Sequence, residues 1–314
     1  MSRRRESGVA AITAVLIVAV AASATAFMLA QESATLDQAM MVAARAQAEQ
    51  YAQAGLEWAR GVIAQDAAAA PDVDSLDEGW AQPMVGLPVE RAVVGGDIAD
   101  EQGKFNLNNL VVANHRSDDD VAIFGRLLAS LGLAPELADA VVDWIDADSD
   151  LTSGAGAEDA YYLSLPRPYR AANQPMTQVE ELYRVKGFDA AAVAKLKPYV
   201  TALPASARTT INANTAPALV LAAALPMIAR AAIDEMAAKR IAKPFRSAAE
   251  VGAWAAAIDR TASTAALDVK SAFFSVRVRV AQDDVQLADE ALVQRTISTG
   301  KPVTVAIVWQ RPRY

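Results

Sequence analysis

The sequence has few of the residues on which catalytic sites depend. Its 314 residues include no cysteine and a single histidine, His115, and no serine stands in a histidine–aspartate context. Aromatic residues make up only 6% of the chain, which disfavours a sugar-stacking groove, and no glycine-rich loop for a phosphate group is present. The absence of cysteine also excludes a disulfide framework in an oxidising compartment. We therefore expect a protein that is not an enzyme.

Basic residues are outnumbered by acidic ones. The chain carries 29 Lys and Arg against 37 Asp and Glu, which gives a net charge of −8. An acidic body suits protein partners or cations and repels nucleic acid, whose binding normally requires a basic face. Hydrophobic residues reach 53%, enough for a core, and the length fits one to two domains.

The first 30 residues combine a basic cluster with a long apolar run. Three arginines at 3–5 precede Gly8, and residues 9–30 form an uncharged run of 22 residues. One helical crossing of a bilayer needs about 20 apolar residues. Because the basic cluster lies before the run, the N-terminus is predicted to be cytoplasmic and the body exported. Removal of residues 1–8 would change the net charge from −8 to −10.

A short basic leader that ends in glycine, before an apolar segment that stays on the mature protein, is typical of a class III signal. Prepilin peptidase cuts such leaders on the cytoplasmic side. In that interpretation Gly8 is the last leader residue and Val9 is the mature N-terminus. The other interpretation is a plain single-span anchor with Gly8 as flanking sequence, and the leader alone leaves both open.

The pattern of apolar residues predicts an α+β fold. Residues 9–66 are predicted to form one helix, apolar all round in its first half and amphipathic in its second. Alternating residues predict strands near 89–101, with a turn at Gly95–Gly96, and an antiparallel meander in 274–309. A long N-terminal helix packed on an antiparallel sheet is the pilin plan.

Between the two strand regions nearly everything has helical spacing. Phe124 and Leu127 belong to one apolar helical series, and Thr177 with Glu180 resembles a capping box that opens another helix. A large all-α domain is therefore predicted to be inserted in the pilin-like domain. The predicted divisions are a leader at 1–8, a transmembrane part at 9–30, a first pilin-like part at 31–112, the inserted domain at 113–268 and C-terminal strands at 269–314.

The strongest chemical signal is an acidic loop with six carboxylates between 143 and 159. Asp146, Asp148 and Asp150 alternate, so their carboxylates would repel one another unless a hard divalent cation bound them. Outside the cytoplasm that cation is usually calcium. The spacing is not that of an EF-hand, since Leu151 and Ala157 stand where its glycine and glutamate are needed. The alternative is a solvated acidic loop.

A second segment, Ile211 to Leu219, is similar to helix-hairpin-helix modules that bind DNA phosphates through backbone amides. The hairpin glycine is missing, because residues 225–228 occupy that turn, and no basic patch surrounds it. A helical scaffold that packs on itself is therefore favoured over a DNA site.

Taken together, these segments resemble the type II secretion system minor pseudopilin K family, also called general secretion pathway protein K, over essentially the full chain. The leader and apolar run carry part of the resemblance. The other matching segments are residues 102–108, 142–148, 156–162, 169–176 and 212–216.

The fifth mature position supports this member of the pilins in particular. Most pilins and pseudopilins have a glutamate there, whose carboxylate can pair with the N-terminal amine of a neighbouring subunit. Counted from Val9, the position is Thr13. The K family is known to lack this glutamate, which suits a subunit at the filament tip. Val9 stands in place of the usual phenylalanine, and its N-methylation is expected.

The resemblance implies a non-enzymatic assembly subunit. It would form a complex with minor pseudopilins I and J, and through them with H and the major pseudopilin G, to initiate and cap the pseudopilus and support export across the outer membrane. It would be single-pass in the inner membrane, with a periplasmic body and no nucleic-acid partner. The implied calcium ligands are Asp146, Asp148, Asp150, Glu158 and Asp159, with Asn173 as a further candidate.

Two alternatives come from other functional classes. One is a membrane-anchored helix-hairpin-helix DNA-binding protein of the competence type, indicated by Asn212 and Asn214. The other is a calcium-dependent hydrolase, which no nucleophile–base pair supports.

Overall fold

The computed structural model describes residues 3–204, 207–298 and 300–313. Met1 and Ser2 of the predicted leader lie outside these residues. Helices α1 to α8 are Arg3–Ala69, Asp118–Ser130, Leu137–Ile145, Asp159–Leu163, Ala190–Leu196, Ala218–Ala224, Arg230–Lys239 and Ala248–Ile258. Strands β1 to β11 are Met84–Val89, Ala92–Asp100, Phe105–Asn106, Val111–Val112, His115–Arg116, Val200–Thr201, Ile211–Asn212, Leu267–Asp268, Phe273–Gln282, Val285–Thr296 and Thr304–Pro312. Short 3-10 helices are Gly79–Ala81, Glu101–Gly103, Leu107–Leu110 and Val179–Arg184.

Helix α1 is a single long spine, as predicted. It ends just before Pro71, which cannot continue a helix. From Ala48 onward one face is buried, at positions three or four residues apart: Ala48, Ala52, Leu56, Ala59 and Ile63. These small and apolar side chains pack on the sheet, and a Cβ atom at Gly55 would lie 2.8 Å from Cγ1 of Val278. The helix therefore lies close against β9.

The main sheet has five antiparallel strands in the order β1-β2-β9-β10-β11. Its first two strands come from before the helical segment and its last three from after it. The chain leaves the sheet at Asp100 and returns at Phe273. The predicted α+β plan, with a long helix on an antiparallel sheet and a helical insertion, is therefore confirmed, whereas the predicted bounds of the insertion stay a prediction.

The predicted turn at Gly95–Gly96 is wrong. The chain reverses at Glu90 and Arg91, where Glu90 has a φ of 51°, and β2 runs straight through both glycines. A Cβ atom at Gly96 would collide with the carbonyl oxygen of Arg277. Gly96 is there because β2 and β9 approach closely, so the glycine pair marks close strand packing and not a turn.

Residues 101–272 pack around a core of their own. The rings of Phe105 and Phe124 stack with centroids 5.5 Å apart, and α2, α3 and α6 contribute most of the surrounding aliphatic side chains. The segment is less purely helical than predicted, because two-residue parallel pairings join β3 to β6 and β7 to β8. The predicted capping box is displaced by one residue: the 3-10 helix has Gln178, not Thr177, at its N-cap, and Glu181 Oε1 accepts hydrogen bonds from the backbone N–H groups of Thr177 and Gln178 at 2.7 and 3.3 Å.

Buried hydrogen bonds join the inserted segment to the sheet. Asn212 Nδ2 donates to Asp100 Oδ2 at 3.0 Å and to the carbonyl oxygen of Asp74 at 3.1 Å. The hydroxyls of Thr215 and Ser271 donate to the same Asp100 oxygen at 2.6 and 2.7 Å. Burial nevertheless raises the pKa of Asp100 to about 6, because desolvation outweighs these hydrogen bonds.

Candidate functional site

The acidic loop follows directly from the end of α3. Asp143 lies in the last turn of that helix and is fully buried, and Asp146 caps the helix in an extended conformation. The backbone N–H of Thr152 donates to Asp143 Oδ1 at 3.0 Å, which folds the loop back over the helix end. Gly156 packs against the same carboxylate, and a Cβ atom there would collide with Asp143 Oδ2. The loop is therefore closed around a buried carboxylate.

Three of the predicted ligands converge in this loop. One carboxylate oxygen from each of Asp146, Asp148 and Glu158 lies within 4.8 Å of the other two. Glu158 is only 5% exposed, and neither of its oxygens accepts a hydrogen bond from any residue that the structure describes. Asp146 Oδ1 and Asp143 Oδ2 are also buried and accept no hydrogen bond from the described residues. An unpaired buried polar group costs about 1–3 kcal/mol, a cost that a bound cation would remove.

The electrostatics of the loop also favour a cation. Burial, and then the charges of Asp143 and Asp146, raise the pKa of Glu158 to about 7. Burial, and then the charges of Asp148 and Asp143, raise the pKa of Asp146 to about 6. Carboxylates that repel one another in a poorly hydrated loop either bind protons or bind a metal ion. The ligand atoms here are all oxygen, which is what calcium prefers.

Asn173 lies beside this group. Its side-chain Nδ2 donates to the carbonyl oxygen of Asp148 at 2.9 Å, and its backbone N–H donates to the carbonyl oxygen of Trp144 at 3.0 Å. Its Oδ1 is buried and has no hydrogen-bond partner among the described residues. The residue has a φ of 45°, a left-handed conformation that asparagine tolerates better than most residues. Asn173 is thus placed to add an amide oxygen to a cation in the loop.

Two predicted ligands lie outside the group. Asp150 is exposed, and its backbone N–H donates to Asp148 Oδ1 at 2.9 Å. Asp159 Oδ1 accepts from the backbone N–H of Ala171, and its Oδ2 is 3.3 Å from Nη1 of Arg170. Asp143, which was not among the predicted ligands, has a buried Oδ2 without a hydrogen-bond partner among the described residues, and its charge acts on Asp146 and Glu158. Its position three residues before Asp146, on the last turn of a helix, was the available signal.

The membrane end of α1 has no partner within the described residues. From Val9 the helix is long and apolar enough to cross a membrane, and its most apolar window is entirely exposed. The hydroxyl of Thr13 donates to the carbonyl oxygens of Val9 and Ala10 at 2.9 and 3.0 Å. Thr13 therefore satisfies its polar group within its own helix and offers no negative charge. Gly8 and Val9 both lie within α1, and the cut between them stays a prediction.

The residues that suggested DNA binding are structural. Asn212 and Asn214 are buried, at 0% and 1% exposed. Asn214 exchanges two hydrogen bonds of 2.9 Å with the backbone of Phe245, one from its side-chain amide and one to it. Both asparagines thus hold the inserted segment together, and their side chains are closed to a phosphate backbone. The scaffold interpretation accounts for them without a nucleic acid.

Comparison with protein families gives two adjoining matches. Residues 103–205 match the first-domain family model described as type II secretion system, protein K. Residues 211–270 match a second family model of the same description. Together the matches span most of the inserted segment.

Individual relatives agree with these matches. The chain is 34% identical to type II secretion system protein K of Aeromonas hydrophila over 94% of either chain. It is 39% identical to type II secretion system protein K of Pseudomonas aeruginosa over 70% of this chain and 68% of that protein. The fold is similar to a chain in the crystal structure of the GspK-GspI-GspJ complex from enterotoxigenic Escherichia coli, with a TM-score of 0.73, 24% identity and coverage of 86% of this chain and 97% of that chain.

Proposed function

Because this chain belongs to the type II secretion system protein K family, a family of minor pseudopilins, we propose that it is the subunit at the tip of the pseudopilus. There it initiates and caps the filament and supports protein export across the outer membrane. It is a structural subunit and not an enzyme. The observation that carries the proposal is Thr13, whose hydroxyl donates hydrogen bonds within its own helix on an exposed apolar spine. A spine without a carboxylate at this position offers no charged partner to a subunit above it.

The partners of the tip subunit are minor pseudopilins I and J, and through them H and the major pseudopilin G. The solved relative of similar fold was crystallised as a complex of K with I and J, which supports this choice. The exposed apolar half of α1 would pack among the spines of these subunits within the membrane and continue into the filament. The inserted segment, which leaves the sheet at Asp100 and returns to it at Phe273, would block further growth above it.

Processing and location follow from the N-terminal segment. Prepilin peptidase would cut after Gly8, and the new N-terminus at Val9 would be methylated. The spine would cross the inner membrane once, with its N-terminus in the cytoplasm and its body in the periplasm.

The acidic loop would hold calcium in the periplasm. Its ligands are Asp146, Asp148 and Glu158, with Asp143 and Asn173 beside them. The ion would replace the repulsion among these carboxylates with shared coordination and would hold the loop closed. Asp150 and Asp159 would lie at the edge of the calcium site, since neither belongs to the group of converging carboxylates.

The test of the function is assembly. The full-length chain is co-expressed with the I and J homologues of its own system, extracted in mild detergent and passed over a gel-filtration column. We expect the three subunits to elute as one complex of fixed ratio. Three separate peaks would count against a role at the tip. A control variant, Asp284→Ala on the exposed β9–β10 turn, should leave the complex unchanged.

A further inference from the structure

We propose a second divalent-cation site, at the end of the spine helix and separate from the acidic loop. Its ligands are Asp66, in the last turn of α1, and Asp74 and Glu78, in the segment between α1 and β1. One carboxylate oxygen from each of these three residues lies within 4.8 Å of the other two. The site takes a hard, oxygen-binding cation such as calcium.

The first supporting observation is the state of Asp74. Its side chain is 0% exposed. Its Oδ2 accepts hydrogen bonds from the backbone N–H of Ser271 at 2.7 Å and from Nη2 of Arg295 at 2.5 Å. Its Oδ1 is buried and accepts none from the residues that the structure describes. A carboxylate held through one oxygen, with the other left free, has the arrangement of a metal ligand whose orientation is fixed by its neighbours.

Glu78 repeats this arrangement. Its Oε2 accepts from the backbone N–H of Ser75 at 3.0 Å and from the indole Nε1 of Trp80 at 2.7 Å, and its Oε1 accepts no hydrogen bond from a described residue. Asp66 Oδ2 is also buried without a hydrogen bond, and it forms a longer ion pair with Nη1 of Arg295 at 3.6 Å. Each of the three side chains therefore has an oxygen available to a cation.

The charge balance explains why one arginine is not enough. Three carboxylates face the guanidinium of Arg295 and, at longer range, the ammonium of Lys270, whose charge also acts on Asp74, so a net negative charge remains for a divalent cation to neutralise. Burial, and then the charges of Glu78 and Asp74, raise the pKa of Asp66 to about 7, whereas Arg295 lowers it. Protons and a divalent cation would thus compete for this cluster near neutral pH.

The position of the site gives it a structural role. Asp74 is bound to Arg295 on β10, and its carbonyl oxygen accepts a hydrogen bond from Asn212 of the inserted segment. Asp66 belongs to the spine. A cation between Asp66 and Asp74 would therefore connect the end of the spine to the point where the sheet and the inserted segment meet.

The site is tested with terbium, which binds calcium sites and emits when a nearby tryptophan is excited. Trp80 donates a hydrogen bond to Glu78, so its indole is next to the proposed site. The full-length chain is used in detergent, freed of calcium by a chelator. The acidic loop has Trp144 beside it, so its ligands are first removed with Asp146→Asn and Glu158→Gln. We expect this variant to keep a saturable emission that calcium displaces.

A further substitution then assigns the emission. Glu78→Gln keeps an oxygen that can accept from Trp80 but removes the charge, and should weaken terbium binding by about tenfold or more. The control is Asp72→Asn, an exposed acidic residue of the same segment outside the cluster, which should bind as before. Emission that is absent in the loop variant, or that is unchanged by Glu78→Gln, overturns the proposal. Should Glu78→Gln fail to fold by circular dichroism, Asp66→Asn decides in its place. Assembly with I and J is measured in a separate experiment, so neither outcome of the terbium titration decides the proposed function.

Discussion

Arg295 and Asp74 form an ion pair that is closed off from solvent. Nη2 of Arg295 lies 2.5 Å from Oδ2 of Asp74, and the two side chains are 1% and 0% exposed. The arginine comes from β10 near the end of the sheet, and the aspartate from the segment after α1. Arg295 also donates to the carbonyl oxygen of Ser271 at 2.6 Å. One buried guanidinium therefore fastens the segment after the spine to the sheet.

The first prediction concerns this pair. Arg295→Met removes the guanidinium and leaves Asp74 buried without its cation, which should lower the free energy of unfolding by about 3–5 kcal/mol. Chemical denaturation of the detergent-solubilised chain measures it. The comparison is Arg230→Met, which breaks the half-exposed pair with Asp234 and should cost about 1 kcal/mol or less. An equal decrease in the free energy of unfolding in the two variants would mean that the buried pair stabilises the fold no more than the half-exposed pair does.

The second prediction concerns calcium and heat. Removal of calcium by a chelator should lower the melting temperature by several degrees, and added calcium should restore it, because an ion at about 100 times its dissociation constant adds about 2.7 kcal/mol to the native state. Asp148→Ala should reduce the response. Asp284→Ala, which removes the same charge from an exposed turn, should keep it. A melting curve that is the same with chelator and with calcium would rule out the loop site.

The third prediction concerns pH. Without calcium, Glu158 has a pKa raised to about 7, above that of an unfolded chain, so its contribution to stability is present at low pH and is lost as the pH rises through about 7. Only the deprotonated carboxylate binds calcium, so calcium affinity should rise over the same range. Calcium titrations at about pH 5.5 and about pH 8 measure this. Glu158→Gln should reduce the dependence without abolishing it, because the pKa of Asp146 is also raised, to about 6. An affinity independent of pH in the unaltered chain would contradict the assignment of Glu158.

The fourth prediction concerns Thr13. A glutamate there would place a carboxylate in the apolar part of the spine, which costs up to about 2.5–3.5 kcal/mol, the figure for the centre of a membrane-spanning helix, unless a partner neutralises it. If the chain is the tip subunit proposed above, no subunit above it supplies an amine, so Thr13→Glu should lower recovery of the complex with I and J and reduce secretion. Thr13→Ser keeps the hydroxyl that bonds to Val9 and should behave as the unaltered chain. A Thr13→Glu chain that assembles and secretes fully would argue for a position within the filament.

The fifth prediction concerns the leader. N-terminal sequencing of protein from membranes should begin at Val9, and Gly8→Ala should leave the longer precursor, because a class III leader is cut after glycine, which has no side chain. Ser7→Ala, one residue earlier, should still be processed. Mature protein that begins at Met1 or Ser2 would instead identify a plain membrane anchor.

Sequence patterns predicted the parts of this fold that depend on local periodicity. The spine and the C-terminal meander were predicted from repeats of apolar residues, and these repeats are local and do not depend on contacts with the rest of the chain. The convergence of carboxylates in the acidic loop was also partly predictable, since Asp146 and Asp148 lie close together in the sequence, whereas their role as calcium ligands stays a prediction. Asp143 was missed because its role depends on a loop that closes back over it from Thr152.

The remaining features depend on contacts between distant segments. Gly95–Gly96 was interpreted as a turn because a sequence does not reveal that β2 must pass close to Arg277, which lies 181 residues after Gly96. The cluster of Asp66, Asp74 and Glu78 looks like ordinary surface acidity until Arg295 is brought beside it. Such placements are set by tertiary packing and carry no local signal.

The chain leaves the sheet from β2 and returns on the adjacent strand β9, where Asp100 is paired with Phe274. Paired residues of antiparallel strands have Cα atoms about 5 Å apart, so both ends of the helical segment emerge side by side. That segment occupies the position of an ordinary hairpin turn. A change in the length of the helical segment therefore need not shift the pairing of β2 with β9, because both ends of the segment stay anchored at the same rung.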